Sequence, residues 1–239
     1  MKTAFATTSN SIAFDEAVRA LARRGAREAS WLLLCGPAGH GKSALARHYA
    51  AEEGGVYLRA KAHWTPASLL AELVQGLGQV PERGNAGNFA LAARVLCSQP
   101  RPLVVDEIDH VLGRREALES LRDLSDVTGA GIVVVGMEEA ERRLKRFPQV
   151  YSRISQVVRT RAQDRGFVAA ILADLCEVAV EEGVADIVLS QTGGHLREIL
   201  DAIAMIEAIG RRQGAGACVT AAMAKAAPLT GGRAARPGR

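Results

Sequence analysis

At 239 residues with 48% hydrophobic side chains, the chain has material for one large core, or for one domain and a small appendage. Its net charge of +4 is concentrated in a Gly/Pro-rich tail with Arg233, Arg236 and Arg239, which leaves the body close to neutral, so any nucleic-acid site must be a local patch. Cys35, Cys97, Cys176 and Cys218 lie far apart without a Cys-x-x-Cys, no apolar run reaches the roughly 18 residues of a membrane span, and the first residues carry no secretory signal. The expectation is therefore a chain without a disulfide framework, zinc site or membrane partner, located in a bacterial host cytoplasm.

Residues 31–35 read as a buried strand, followed by a helix over 42–53 and a short strand over 56–59. Two helical stretches come next. Residues 66–77 space Leu69, Leu70, Leu73, Val74 and Leu77 on one face, and residues 88–98 do the same with Phe89, Leu91, Ala92, Val95 and Leu96. Strands over 103–105, 132–135 and 157–160 then alternate with helices over 116–127 and 138–146. Such alternation predicts an α/β fold, a mostly parallel sheet with helices on both faces. Beyond residue 162 the pattern turns helical, over 164–181, 184–191, 194–212 and 217–226, with breaks at Gly183, Gly193-Gly194 and Gly214 to Gly216. The expected organisation is a domain over 1–162, a small helical domain over 163–227 and a disordered basic tail over 228–239.

Gly36-Pro37-Ala38-Gly39-His40-Gly41-Lys42-Ser43 directly follows the first strand and completes G-x-x-x-x-G-K-[ST]. Glycines at these places let backbone N–H groups curl around phosphates, and the helix that starts at Lys42 and continues through Ala44 offers its N-terminus to the anion. Lys42 supplies a cation to the β- and γ-phosphates of ATP, and Ser43 is placed to ligate Mg²⁺. The apolar strand that ends in Asp106-Glu107 supplies the complement. Asp106 would hold Mg²⁺ through water, and Glu107 would orient or deprotonate the attacking water.

With these two motifs in place, residues from about 10 to 212 resemble the AAA+ ATPases. That resemblance implies a parallel five-stranded P-loop NTPase domain, a helical lid and ATP bound between neighbouring subunits. Gly193-Gly194-His195-Leu196-Arg197 matches the family's second sensor, which implies that Arg197 reaches the γ-phosphate from its own subunit. Tyr151-Ser152-Arg153-Ile154 falls where the family carries a trans arginine, which makes Arg153 the arginine-finger candidate and Arg146 the fallback. One departure is plain. Val135-Gly136-Met137 has no polar side chain where many relatives end the fourth strand in Asn, Thr or Ser, which suits slow turnover.

A narrower resemblance lies in residues 103–154. The segment Leu-Arg-Asp-Leu-Ser-Asp-Val-Thr-Gly (121–129), then Gly136-Met137-Glu138-Glu139, then a basic helix running into Arg146-Phe147-Pro148, is similar to the phage Mu transposition B protein and related transposon target-selection ATPases. This implies ATP-dependent assembly into a helical filament or ring on double-stranded DNA and recruitment of a cognate transposase. It also implies that Arg59 and Lys61, after the second strand, and Arg114 and Arg115, after the acidic pair, face DNA and touch phosphates without reading sequence. Trp64 leaves two readings open, a stacking surface for nucleotides or a packing residue ahead of a helix. Residues 19–27, with Arg19, Arg23, Arg24 and Arg27, read as an exposed helix face. The alternatives are a helicase-loader- or initiator-like remodeller and a secretion-associated ATPase. An initiator is expected to add a winged-helix domain, for which the stretch after Arg212 is too short.

Overall fold

The computed structural model describes residues 1–2, 4–214 and 216–230. Two compact units emerge, one from Ala13–Ala38 with Lys42–Thr160, the other from Met1–Ile12, Gly39–Gly41 and the described residues from Arg161 on.

The first unit is an α/β sandwich. Strands β1 (Trp31–Cys35), β2 (Val56–Arg59), β3 (Leu103–Asp106), β4 (Ile132–Gly136) and β5 (Ile154–Arg159) form one sheet in the order β2-β3-β4-β1-β5. Every pairing is parallel. Strands β1, β3 and β4 are buried at every residue, as interior strands of a sheet covered on both faces must be. The two-residue period divides their side chains between two cores. Trp31, Leu33, Leu103, Val105, Ile132 and Val134 face helices α3 (Pro66–Gly76), α4 (Asn85–Ser98) and α5 (Arg115–Thr128). Leu32, Leu34, Val104, Val133 and Val135 face the other way, toward Phe14 and Leu21 of α1 (Ser9–Ala22) and Leu45 of α2 (Lys42–Glu52). Trp31 is fully buried and still satisfies its indole, whose N–H donates to Ser125 Oγ at 2.9 Å.

Capping and turn chemistry set several boundaries. Thr65 and Ser68 form a capping box at the start of α3, with Pro66 at the first helical position. Gly129, at φ 73°, ends α5 in the left-handed conformation. The expected helix over 138–146 is instead two short ones, α6 (Ala140–Leu144) and α7 (Pro148–Tyr151). Pro148 lacks an N–H and drives Phe147 out of the helical region, to φ −118°, ψ 76°. Strand β5 starts at Ile154 rather than at residue 157. The basic face expected over 19–27 is partly structural, because Arg24 donates to the carbonyls of Leu21, Arg27 and Gly129 and so closes off α1.

The second unit is mostly helical. Helices α8 (Arg165–Leu175), α9 (Val184–Thr192), α10 (Leu196–Gln213) and α11 (Ala221–Ala226) bury Val168, Ile171, Leu172, Val188, Ile199 and Ile203 in one cluster. Side chains of Asp164 and Thr220 cap α8 and α11. The run expected as one helix over 164–181 stops at Leu175. The chain then extends, and β6 (Ala179–Val180) pairs in parallel with β7 (Cys218–Val219), where helix had been expected from 217. Alternation in Glu177-Val178-Ala179-Val180 suits that strand. Leu229, placed in the tail by sequence, is fully buried in this cluster, and its N–H donates to Gln191 Oε1 at 3.0 Å. Arg233, Arg236 and Arg239 lie outside the described residues.

Cys35 and Cys176 are buried and Cys97 and Cys218 exposed, and all four are free. Among the described residues no helix is long and apolar enough to cross a membrane.

Candidate nucleotide and nucleic-acid site

The phosphate loop leaves β1 at Cys35. Gly36 has φ +146°, and a Cβ there would collide with the Thr160 hydroxyl, so only glycine serves. Lys42 is the first residue of α2, which puts Ser43 and Ala44 in the helix's first turn, where backbone N–H groups lack helical partners. The Lys42 side chain is largely buried. Its Nζ donates to the carbonyls of Gly36 at 2.7 Å and Pro37 at 2.6 Å, so the ammonium is held against the loop it would share with phosphates.

The loop's crest, Gly39–Gly41, belongs to the helical unit. There the Arg197 N–H donates to Gly39 O at 3.0 Å. Gly41, at φ +82°, leaves room for Leu196, whose Cδ2 would lie 2.5 Å from an added Cβ. The rings of His40 and His195 stand 4.9 Å apart. The Gly193-Gly194-His195-Leu196-Arg197 motif thus packs on the crest through backbone and Leu196. Arg197 is placed by its main-chain N–H bond to the crest.

Asp106 ends β3 and is 3% exposed. Its Oδ1 accepts the Glu107 N–H at 2.8 Å, and its Oδ2 accepts the Tyr57 hydroxyl at 2.5 Å. Tyr57 is held protonated by burial and by that bond, both of which raise its pKa. Asp106 and Ser43 offer hard oxygen donors that fit Mg²⁺. Among the described residues no three His, Cys, Asp or Glu side chains gather into a metal cage, so phosphate oxygens and water would have to complete the coordination.

Glu107 is the only non-glycine residue with positive φ (55°) among the described residues. A β-carbon in the left-handed region carries strain, and such strain collects at functional positions. The carboxylate is partly exposed; its Oε1 accepts Arg59 Nη2 at 2.6 Å and its Oε2 lies 3.6 Å from His110 Nε2. The Arg59 bond is the chief reason that the Glu107 carboxyl sits below its ordinary range. Parallel pairing sets Arg59 opposite Asp106, so the ends of β2 and β3 bring the arginine to the acids.

The expected DNA-facing loops do come together. Arg114 Nη2 donates to Ala62 O at 3.0 Å and ties the loop after β3 to the loop after β2. Each cation also has a local acceptor: Lys61 pairs with Glu72 at 2.7 Å and Arg115 with Glu119 at 2.8 Å. Trp64 is fully buried and donates to Glu72 Oε1 at 3.1 Å, which makes it the packing residue of its two readings.

Arg153 lies in the short turn between α7 and β5 and is held by its own chain. Its guanidinium makes a two-pronged contact to Asp126 on α5, both bonds at 2.8 Å, and donates to Ser152 Oγ at 2.9 Å. Arg146, the fallback, is exposed.

At the end of β4 the missing polar side chain has a steric cause. A Cβ on Gly136 would lie 2.6 Å from Ala140 Cβ and 2.9 Å from Ile108 Cγ2. The next backbone N–H, that of Met137, is taken by Asp109 Oδ2 at 2.7 Å. Tyr57, Glu72, Asp109 and Asp126 were not singled out from sequence, because each acts through a partner that only the strand order or a helix contact supplies.

No curated protein sequence matches the chain. Among solved structures, the Aeropyrum pernix ORC2 protein in its ADPNP–ADP complexes is similar, with a TM-score of 0.70 and 19% identity over 90% of this chain and 66% of that one. The A. pernix ORC1 protein in complex with DNA gives a TM-score of 0.58 at 19% identity, over 86% of this chain and 60% of that one. Cdc6p from Pyrobaculum aerophilum gives 0.55 at 19% identity, over 77% and 56%. The chain thus spans about two thirds or less of the length of these structures, and the likeness is one of fold. A family profile described as an AAA domain matches residues 24–144, half of the chain and the whole stretch from the phosphate loop through the acidic pair to α6. With that stretch supplying four of the five parallel strands and both motifs, the chain belongs to the AAA domain family.

Proposed function

We propose that this protein is an ATP-hydrolysing AAA+ switch that binds duplex DNA through the Arg59–Lys61 and Arg114–Arg115 loops and assembles with copies of itself. The observation that carries the reading is the Arg59–Glu107 ion pair, which joins a candidate DNA contact to the candidate hydrolytic base. Lys42 would exchange its two carbonyl acceptors for the β- and γ-phosphates, while the first turn of α2 receives the anion. Ser43 and Asp106 would hold Mg²⁺, which supplies charge neutralisation to the transferring phosphoryl group. Glu107 bound to Arg59 is a poor base and is turned toward its partner. A DNA phosphate that draws Arg59 away returns the carboxylate to the attacking water. Arg153 would leave Asp126 to complete a neighbour's site, and Arg197 would act from its own subunit.

Within this reading we assign the chain to transposition target selection, with a transposase as its partner. The support is the sequence block 103–154 with its 121–129 segment and the basic stretch that leads to Arg153. A second reading, an initiator-like remodeller, draws support from the likeness to the ORC2, ORC1 and Cdc6p structures. Negative-stain microscopy of the full chain with ATP and duplex DNA tests the shared reading. Filaments or rings on the duplex that vanish without ATP are expected, and a chain that stays monomeric with both contradicts it. Stimulation of a DDE-type transposase by the assembled protein separates the first reading from the second.

A further inference from the structure

Resting on the nucleotide reading above, we propose that Tyr57 is a positioning residue for the metal site. Its hydroxyl takes the place on Asp106 that a metal-bound water would take, and competes with that water for Oδ2 when Mg²⁺ and nucleotide bind. Asp106 is 3% exposed, so both carboxylate oxygens need partners inside the protein. One partner is built in, because Oδ1 accepts the N–H of Glu107, a bond fixed by the turn itself. Oδ2 is the oxygen left for a metal-bound water, and the Tyr57 hydroxyl occupies it at 2.5 Å.

Tyr57 comes from the edge strand β2, on the face that carries Leu45 and Ala46, and the Arg47 guanidinium lies 5.9 Å from its ring centre. The ring is therefore held by packing, and the hydroxyl is aimed by the strand rather than by a mobile loop. A carboxylate oxygen can accept two hydrogen bonds, but each acceptance withdraws charge and weakens the other. Replacing tyrosine by phenylalanine keeps the packing and leaves Oδ2 without a partner. A water on the metal then satisfies an oxygen that nothing else satisfies, and metal binding strengthens.

The test is titration of Mn²⁺, followed by electron paramagnetic resonance, into the full chain saturated with a non-hydrolysable ATP analogue. Tyr57→Phe is expected to tighten Mn²⁺ binding by about 3- to 10-fold, the weight of one net hydrogen bond. Its affinity for the nucleotide in chelator should equal that of the natural protein. Unchanged or weaker Mn²⁺ binding overturns the proposal while leaving the nucleotide reading intact. Failure of the natural protein to bind Mn²⁺ with the analogue overturns both. Should Tyr57→Phe fail to fold, the natural protein labelled with ¹³C at tyrosine Cζ gives the answer, its Tyr57 signal assigned with Tyr49→Phe and Tyr151→Phe. That signal is expected to move when Mg²⁺ joins the analogue, and a signal that stays put overturns the proposal.

Discussion

Arg59 and Glu107 meet at 2.6 Å across the ends of two neighbouring parallel strands, one of them an edge strand. Arg59 keeps two thirds of its side chain open to solvent, so a phosphate can reach it without rearranging the sheet. Freeing Glu107 by Arg59→Gln should therefore raise ATP hydrolysis without DNA several-fold and flatten its response to DNA. A colorimetric phosphate assay with and without duplex reads both effects.

Removing the ammonium that spans the phosphate loop is more drastic. Lys42→Ala should abolish nucleotide-dependent assembly, because the loop then binds phosphates without its cation. Glu107→Gln should keep ATP binding, lower turnover by about 10²- to 10⁴-fold as expected for a lost general base, and trap the assembled state. Light scattering after ATP addition checks both, and faster disassembly of Glu107→Gln would remove that residue from the role of base.

Gly136 predicts a failure of repair. Installing the polar residue that many relatives carry, as Gly136→Asn, should slow rather than speed hydrolysis. It should also destabilise the fold by about 1–3 kcal/mol, because the new side chain strikes Ala140, Ile108 and Asp109. Thermal denaturation alongside the ATPase assay measures the two consequences.

Glu141 predicts a pH dependence. Burial pushes its carboxyl up, but the bonds from Lys145 at 3.0 Å, Arg159 and Tyr151 at 3.2 Å outweigh burial and leave it below the ordinary value of 4.5. A lowered folded value means that the unfolded chain binds more protons, so the contribution is complete above about pH 4.5 and drains away as pH falls through the folded value. Glu141→Gln should thus cost about 1–2 kcal/mol at pH 7, and the deficit against the natural protein should shrink in acid. Urea unfolding at several pH values measures that difference.

The sheet and its two acidic and phosphate motifs were legible because they make local demands. A glycine at Gly36 is needed beside Thr160, and the apolar runs of β1, β3 and β4 admit no solvent face. Partnerships across the sheet were not legible. That Tyr57 caps Asp106, that Arg59 holds Glu107, and that Asp126 holds Arg153 depends on strand order and helix placement, which no residue spacing encodes. The break at Pro148 was legible in principle, since the ring forbids the residue before it from staying helical. The β6–β7 ladder was not, because two residues per strand carry too little period to stand out from helix.

The central claim is that DNA governs hydrolysis by drawing Arg59 off Glu107. Steady-state ATP turnover of the natural protein and of Arg59→Gln, each with and without saturating duplex at low salt, tests it most directly. Duplex should stimulate the natural protein, and Arg59→Gln should begin near the stimulated rate and gain little more. A variant that starts slow and is stimulated as fully as the natural protein would contradict it.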